Sequence, residues 1–399
     1  MNEDRMKIIW VTDECPYPPN TGGRVGVWKR IEYLSKRNEI YLFTIIDNED
    51  EKKYYTEMLN WCKEVYMFER CSTFRTLAYS LFYPYPGASR WSTKIRNQVE
   101  EMCSRIHPDY VFVDGPHMMG TLKKNVLLEQ NIVLNQHNIE HLSLKSIGQG
   151  TSNILKKILY YLTSMQMKRY EKCIYLKRNV NLYTFVSSSD KEYFEKKYQL
   201  FNTLLVPVGA EINFSDIKPG VHSIIFVAKM SYQSNEDGAV WLLEKIWDKI
   251  HSLVKDAKLY LVGKDPSNRL KEIALQHEGV VITGTVDSIE EYYDKTNLVV
   301  VPILAGGGVK VKLLEALGHG KIVVTTKKGI EGTDFENGKH LISTDDETKF
   351  IETCVEILNN PNSFEKMHIS SMKKMRNDYS WESVINAFEK VLREKGSNI

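Results

Sequence analysis

The sequence predicts an α/β protein with two successive blocks, each a doubly wound parallel sheet covered by helices. Three observations support this. Short runs rich in Val, Ile, Leu and aromatics alternate with amphipathic helical segments along the whole chain. One run, Leu298–Val301, is apolar on both faces, as suits a strand buried inside a parallel sheet. The length of 399 residues exceeds what one hydrophobic core comfortably holds.

In the first block, strands are expected at Met6–Thr12, Ile40–Ile45, Glu64–Phe68, Tyr110–Val113, Ile132–Gln136, Leu182–Val186 and Thr203–Pro207, with helices at Val25–Arg37, Thr93–Ile106 and Asn153–Asn179. In the second, strands are expected at Ser223–Val227, Lys258–Val262, Val280–Thr283, Leu298–Val301, Ile322–Thr325 and His340–Ile342. Helices there are expected at Glu236–His251, Ser288–Asp294, Lys310–Gly318 and Glu347–Asn359. The irregular, Gly- and Pro-containing stretch Val208–Pro219 marks the boundary. The expected domains are 1–207 together with 378–399, and 208–377. The last helix, Trp381–Glu394, carries Trp381, Val384, Ile385, Phe388, Val391 and Leu392 at helical spacing.

Composition is ordinary for a globular protein, with 42% hydrophobic and 26% charged residues. The net charge of +2 is unevenly divided. Residues 1–199 hold 29 Lys and Arg against 23 Asp and Glu, a formal +6, and the remainder 24 against 28, a formal −4. Residues 145–180 carry eight basic residues and one acid, Glu171, a pattern that fits either a solvated helix face or contact with an anionic membrane or phosphorylated substrate. The small overall charge and the lack of interleaved basic and aromatic residues argue against nucleic acid. Six scattered Cys show no metal-ligand spacing, and no apolar window approaches a membrane span. The start MNEDRMKIIW has no signal-peptide character, so a cytoplasmic place is expected, with peripheral contact at the inner face of the plasma membrane.

In open parallel sheets ligands sit at the carboxyl ends of strands, so chemistry is expected in the loops that follow them, at a cleft between the blocks. The most informative segment runs from Val300 through Gly306, Gly307, Gly308, Val309, Lys310 and Lys312 to Glu315. A buried strand leads through three glycines into a helix whose N-terminal amides can bind phosphate. The two Lys add full charges, and Glu315 can accept hydrogen bonds from a ribose diol. The alternative is a tight turn followed by a surface Lys–Glu pair. A second Gly pair, Gly22-Gly23, follows the first strand and precedes a helix, so both turns are expected to face one diphosphate.

These segments resemble glycosyltransferase family 4. Phe226–Met230 with Asn235, Leu261–Gly263, Thr283–Val286, the Gly306–Ala316 signature and Trp381 at the start of the closing helix carry the resemblance over most of the second block. The first block matches more loosely. The resemblance implies the GT-B fold of two Rossmann-like domains facing a cleft, with the closing helix returning to the first. It implies a retaining transfer from a UDP- or GDP-sugar to a glycan or lipid-linked acceptor in cell-surface polysaccharide or capsule synthesis. No cofactor is implied.

Donor contacts are implied for Gly22, Gly23, Lys229, Gly263, Val286, Gly306, Gly307, Gly308, Val309, Lys310, Lys312 and Glu315. Two departures stand out. Gly307 replaces the first Glu of the family's Glu-x7-Glu pair, and Lys229 and Asn235 occupy the usual Arg and Lys positions. One phosphate charge is therefore expected from Lys310 or Lys312.

Catalytic candidates are Asp114, His117 and His137. Asp114 stands where many relatives carry His, and His137 with Glu140 resembles an HNxE motif. No two Asp are separated by one residue, so the DxD motif of metal-dependent transferases is lacking and no metal is expected. Two other functions fit the architecture: a sugar-nucleotide epimerase, and a non-catalytic nucleotide-sugar-binding subunit.

Overall fold

The structure, a computed structural model, describes residues 5–150, 153–177 and 180–396. The chain divides into two compact units, Met1–Pro207 with Ile385–Ile399, and Val208–Val384. The helix Trp381–Gly396 starts in the second unit and ends in the first.

The first unit is built on seven parallel strands: β1 (Lys7–Thr12), β2 (Glu39–Ile46), β3 (Glu64–Glu69), β4 (Tyr110–Asp114), β5 (Ile132–Gln136), β6 (Leu182–Phe185) and β7 (Thr203–Leu205). Their order is β3-β2-β1-β4-β5-β6-β7. The central strands are buried on both faces, which is why they read as unbroken apolar runs. Ile9, Val11, Phe43, Val111, Val113 and Leu134 form part of one continuous core. The order reverses between β1 and β4, and in such a sheet the crevice for a ligand opens at the carboxyl ends of those two strands.

The second unit has six parallel strands: β8 (Ser223–Val227), β9 (Lys258–Val262), β10 (Val280–Gly284), β11 (Leu298–Val301), β12 (Ile322–Thr325) and β13 (Ile342–Ser343). Their order is β10-β9-β8-β11-β12-β13, so the switch point lies between β8 and β11.

Several helices differ from expectation. The first begins at Gly22 rather than Val25, because Thr21 Oγ1 accepts from the Arg24 amide and caps it there. Gly22 and Gly23 are therefore the first helical turn, not a loop before it. The helix expected at Lys310 begins at Val311, with Lys310 as extended N-cap. The segment Glu236–His251 contains a π-helical stretch at Leu242–Trp247. The helix expected over Asn153–Asn179 is described as Ile154–Lys177; Asn179, like Arg178 of the basic stretch, lies outside the described residues. Short helices at Thr73–Tyr79, Lys124–Glu129, Ser188–Tyr198 and Asn268–Ala274 have no counterpart in the sequence reading.

Candidate active site

The first unit's candidate site grows from a ladder of polar side chains buried in its sheet. Asp114, Asn135 and Thr184 are register partners on β4, β5 and β6. Thr184 Oγ1 donates to Asn135 Oδ1 at 2.6 Å, and Asn135 Nδ2 donates to Asp114 Oδ1 at 2.8 Å. From β1, the Trp10 indole donates to Asp114 Oδ2 at 2.9 Å. Asp114 is 1% exposed, so this carboxylate is stabilised by donors rather than by water.

At the switch point these strands open into a cavity of about 330 Å3. Asp13 and Glu14 enter it from the end of β1, Asp114, Gly115 and His117 from β4, and His137 and Glu140 from β5, with Arg90 and Gly23 completing the wall. The three catalytic candidates are thus brought together.

Gly115 makes this possible, since its φ is +79° and a Cβ there would lie 2.6 Å from His117 Cε1. His117 folds back so that its Nε2 lies 3.1 Å from Asp13 Oδ2. Arg90 grips the same residue, donating to the Asp13 carbonyl at 2.8 Å and placing its guanidinium 3.4 Å from the carboxylate. His137 Nε2 is 3.6 Å from Asp114 Oδ1, within ion-pair range.

The environments push these groups apart. Burial works against ionised Asp13, but Arg90, the His117 hydrogen bond and the histidine charges hold its carboxyl well below the usual range. Burial raises Glu140, and the Asp13 charge adds to this against His117 and His137. Burial and Asp13 likewise raise Glu14, with Arg24 opposing at 3.0 Å. Burial also disfavours the His137 cation, yet the Asp114 and Asp13 carboxylates together outweigh it and raise the imidazole above its ordinary value. One carboxylate kept ionised beside another inclined to hold its proton is an arrangement suited to moving protons.

In the second unit the expected donor segment lies at the carboxyl end of β11. Gly306 and Gly308 take φ of +103° and +72°, and a Cβ at Gly306 or Gly307 would meet open space, so Gly306 is needed for its backbone and not for crowding. Its two Lys behave differently. Lys310 Nζ turns back onto the carbonyls of Gly307 and Gly308, at 2.9 and 2.6 Å. Lys312 Nζ instead donates to Asn235 Oδ1, while Asn235 Nδ2 donates to the Lys229 carbonyl at 2.7 Å. The Lys312 ammonium therefore bridges the switch point, from the helix after β11 to the loop after β8.

Burial, helped by the Lys310 charge, pushes Lys312 down to about 8, with Glu315 opposing. Glu315 reaches solvent, but the protein mass around it raises its carboxyl, opposed by Lys312. Lys229 is half-buried, 3.9 Å from Asp265. Gly263 abuts the Ala228 carbonyl, which joins the loops after β8 and β9, and Val286 follows the edge strand β10. Val309 is half-buried in the turn.

A cavity of about 420 Å3 opens beside β11, lined by Trp241, Ile303, Leu304, Thr326 and Lys327, and none of the expected donor residues lines it. Gly22 and Gly23 belong to the first unit and Gly306–Glu315 to the second. Among the described residues no three His, Cys, Asp or Glu come together to hold a metal ion.

Sequence reasoning missed Asp13 and Arg90. Asp13 carried a signal, since it follows the first strand directly. Arg90 lies 77 positions from Asp13 in no recognisable pattern.

Residues 221–360 match the family model described as Glycosyl transferases group 1. The matched residues lie within the second unit. A curated relative, an uncharacterised 44.6 kDa protein in the cps region of Klebsiella pneumoniae, is 25% identical over 96% of this chain and 99% of its own length. Solved structures give the fold of the whole chain. A sucrose-phosphate synthase from Thermosynechococcus elongatus superposes with a TM-score of 0.70 at 13% identity, covering 99% of this chain and all of that one. Anabaena HepE, in complex with UDP and glucose, gives 0.66 at 12%, covering 98% and 100%. The two all-parallel sheets and these likenesses make the fold GT-B. The group 1 match spans Gly306–Glu315 and the helix that begins at Val311.

Proposed function

We propose that this group 1 glycosyltransferase moves a sugar, with retention of anomeric configuration and without metal, from a UDP- or GDP-sugar to a glycan or lipid-linked acceptor on the cytoplasmic side of the plasma membrane. The observation that carries the reading is the Lys312–Asn235 contact at the switch point of the group 1 domain. The family resemblance puts Lys where this chain has Asn235, and here the amide of Asn235 holds the ammonium of Lys312 at that place. Lys312 and the amides that begin the helix at Val311 then meet the negative charge developing on the departing diphosphate, the role a metal fills elsewhere. Glu315 binds the ribose diol.

In the first unit, His137 and Asp114 face the reacting sugar, and Asp13 holds His117 for the acceptor side. Retention follows from attack on the face the leaving group departs, with its phosphate taking the acceptor proton. UDP is the first nucleotide to test because HepE is described with UDP and glucose. Capsule-type polysaccharide is the proposed product class, supported by the relative described in a cps region.

The experiment is a panel of UDP-, GDP- and dTDP-sugars, each incubated with and without a lipid or glycan acceptor and with excess EDTA. Acceptor-dependent release of nucleotide that persists in EDTA is the expected result. Loss of turnover in EDTA restored by manganese would end the metal-independent mechanism. Isomerised donor formed without acceptor would identify an epimerase, and binding without turnover a non-catalytic subunit.

A further inference from the structure

A large apolar surface on the first unit has no role in the chemistry above. On the helix Ile154–Lys177 the outward residues of the first turns are Ile154, Leu155, Ile158, Leu159, Leu162 and Met165, all exposed. The segment Thr73–Tyr83 lies against this helix, since Gln166 Nε2 donates to the Ser80 carbonyl at 3.2 Å and the Tyr83 and Tyr170 rings meet edge-on at 6.1 Å. Leu81 and Phe82, next in the chain after Ser80, are 79% and 80% exposed, and Phe74 and Leu77 are exposed beside them. The two segments touch at Gln166 and Tyr170, so both contribute exposed apolar residues to adjoining parts of the first unit's surface. Soluble proteins rarely leave such a patch bare without a partner.

The exposed charge on these two segments has one sign. Residues 71–99 and 141–170 contain no Asp or Glu. The one acid in the basic stretch, Glu171, is fully buried, its Oε2 2.5 Å from His141 Nδ1. Arg75, Lys145, Lys156, Lys168, Arg169 and Lys172 are exposed, and along the long helix the outward stripe passes from apolar residues to Lys168, Arg169 and Lys172. A solvated helix face would mix both signs and lack the leucines.

The geometry points to an anionic lipid bilayer as the partner of this surface: Leu81, Phe82, Leu155 and Leu159 enter the interface while the surrounding Lys and Arg meet lipid phosphates. Apolar burial and attraction to anionic headgroups act together in such interfacial binding. No helix among the described residues is long and apolar enough to cross a membrane, so this is attachment by a surface. The assignment deepens the lipid-linked, inner-face part of the proposed function. Vesicle binding tests it separately from donor chemistry.

The test uses the whole chain and phosphatidylcholine vesicles with or without phosphatidylglycerol, at about 0.1 M and about 0.5 M NaCl to vary screening. The wild type is expected to co-sediment with phosphatidylglycerol vesicles and to keep part of its binding at the higher salt, because insertion is apolar. A Leu81→Ser, Phe82→Ser, Leu155→Ser, Leu159→Ser variant should lose at least about tenfold in partitioning at both salts, since each side chain contributes its buried apolar area. A Lys156→Gln, Lys168→Gln, Arg169→Gln variant should lose at least about tenfold at the lower salt only, as each basic residue near an anionic surface adds attraction. The substituted side chains are exposed, so unchanged melting and unchanged calorimetric binding of UDP and GDP verify the fold and the donor site. Wild-type indifference to phosphatidylglycerol, or a serine variant that binds as well as wild type, overturns the proposal. A wild-type dimer made monomeric by the serine substitutions, without vesicle binding, would assign the patch to a second copy instead. Vesicle binding by a protein with no affinity for any nucleotide sugar would remove the transferase reading and leave this one standing.

Discussion

Replacing Asp114 by Asn keeps the side chain's volume and deletes its charge, and the structure dictates two linked consequences. Asp114 accepts from Trp10 at one oxygen and from Asn135 at the other. An amide offers only one oxygen, so one buried donor meets another donor, at a cost of about 1–3 kcal/mol. Arg30, which burial pushes down to about 10, loses the charge that opposes this. A loss of roughly 2 kcal/mol lowers Tm by roughly 4–8 °C in a unit of this size.

The second consequence is a change of sign at His137. Burial disfavours its cation and Arg30 adds to this, while Asp114 is the larger of the two influences that favour it and Asp13 the smaller. In the wild type the balance raises the imidazole above 6.5, so His137 contributes stability fully below that value, and loses it as pH rises through the folded pKa. In the Asp114→Asn chain the balance reverses and the imidazole falls below 6.5. The assay is an NMR titration of the His137 ring resonance, assigned by its disappearance in His137→Gln, together with melting curves across the same pH range. An Asp114→Asn protein whose His137 still titrates above 6.5 would refute this account of the cavity's electrostatics.

Three further outcomes are expected. Lys312→Met should weaken UDP or GDP binding in calorimetry by about tenfold or more, as loss of a charge-assisted contact does; wild-type affinity should fall as pH rises through about 8, where Lys312 loses its proton, and the variant should lack that limb. Glu315→Ala should weaken nucleotide binding while leaving pyrophosphate binding unchanged, and equal UDP affinity in both proteins would remove Glu315 from the ribose. Gly115→Ala should destabilise the first unit by about 1–2 kcal/mol for its left-handed backbone and displace His117, so turnover should fall more than nucleotide affinity; full activity would show that the His117–Asp13 contact is dispensable.

Much of the fold was written in the sequence because fully buried parallel strands leave unbroken apolar runs. Leu298–Val301, Ile322–Thr325 and Ile132–Gln136 have the bounds read from the sequence. Helices whose stability comes from a few contacts left no such trace. Ser188–Tyr198 buries only Phe194 and Tyr198 and relies on its Ser187 cap, so no apolar stripe marks it. The site was legible where it depends on strand ends, and Asp114, His117 and His137 indeed meet in one cavity. It was illegible where it depends on long-range geometry. Nothing in the sequence indicates that Arg90 reaches back to Asp13, or that of two Lys two residues apart Lys310 turns onto its own loop while Lys312 reaches Asn235.

That last difference bears on the proposed donor site, where the resemblance to glycosyltransferase family 4 puts Lys at position 235 and this chain has Asn. Lys310 is the extended N-cap and Lys312 the second residue of the helix, so their side chains leave the backbone in different directions. Only the second points from the helix after β11 toward the loop after β8. An Asn at position 235 is too short to bring charge itself, but its amide has both the acceptor to hold an ammonium and the donor to fix that amide on the Lys229 carbonyl. On the proposed reading Lys312 brings, from the helix after β11, the charge that the family resemblance puts at position 235. Asn235 and Lys312 therefore form one functional unit, and substituting either alone should cost nearly as much nucleotide affinity as substituting both. Additive losses in that double-mutant cycle would show that the two residues act independently.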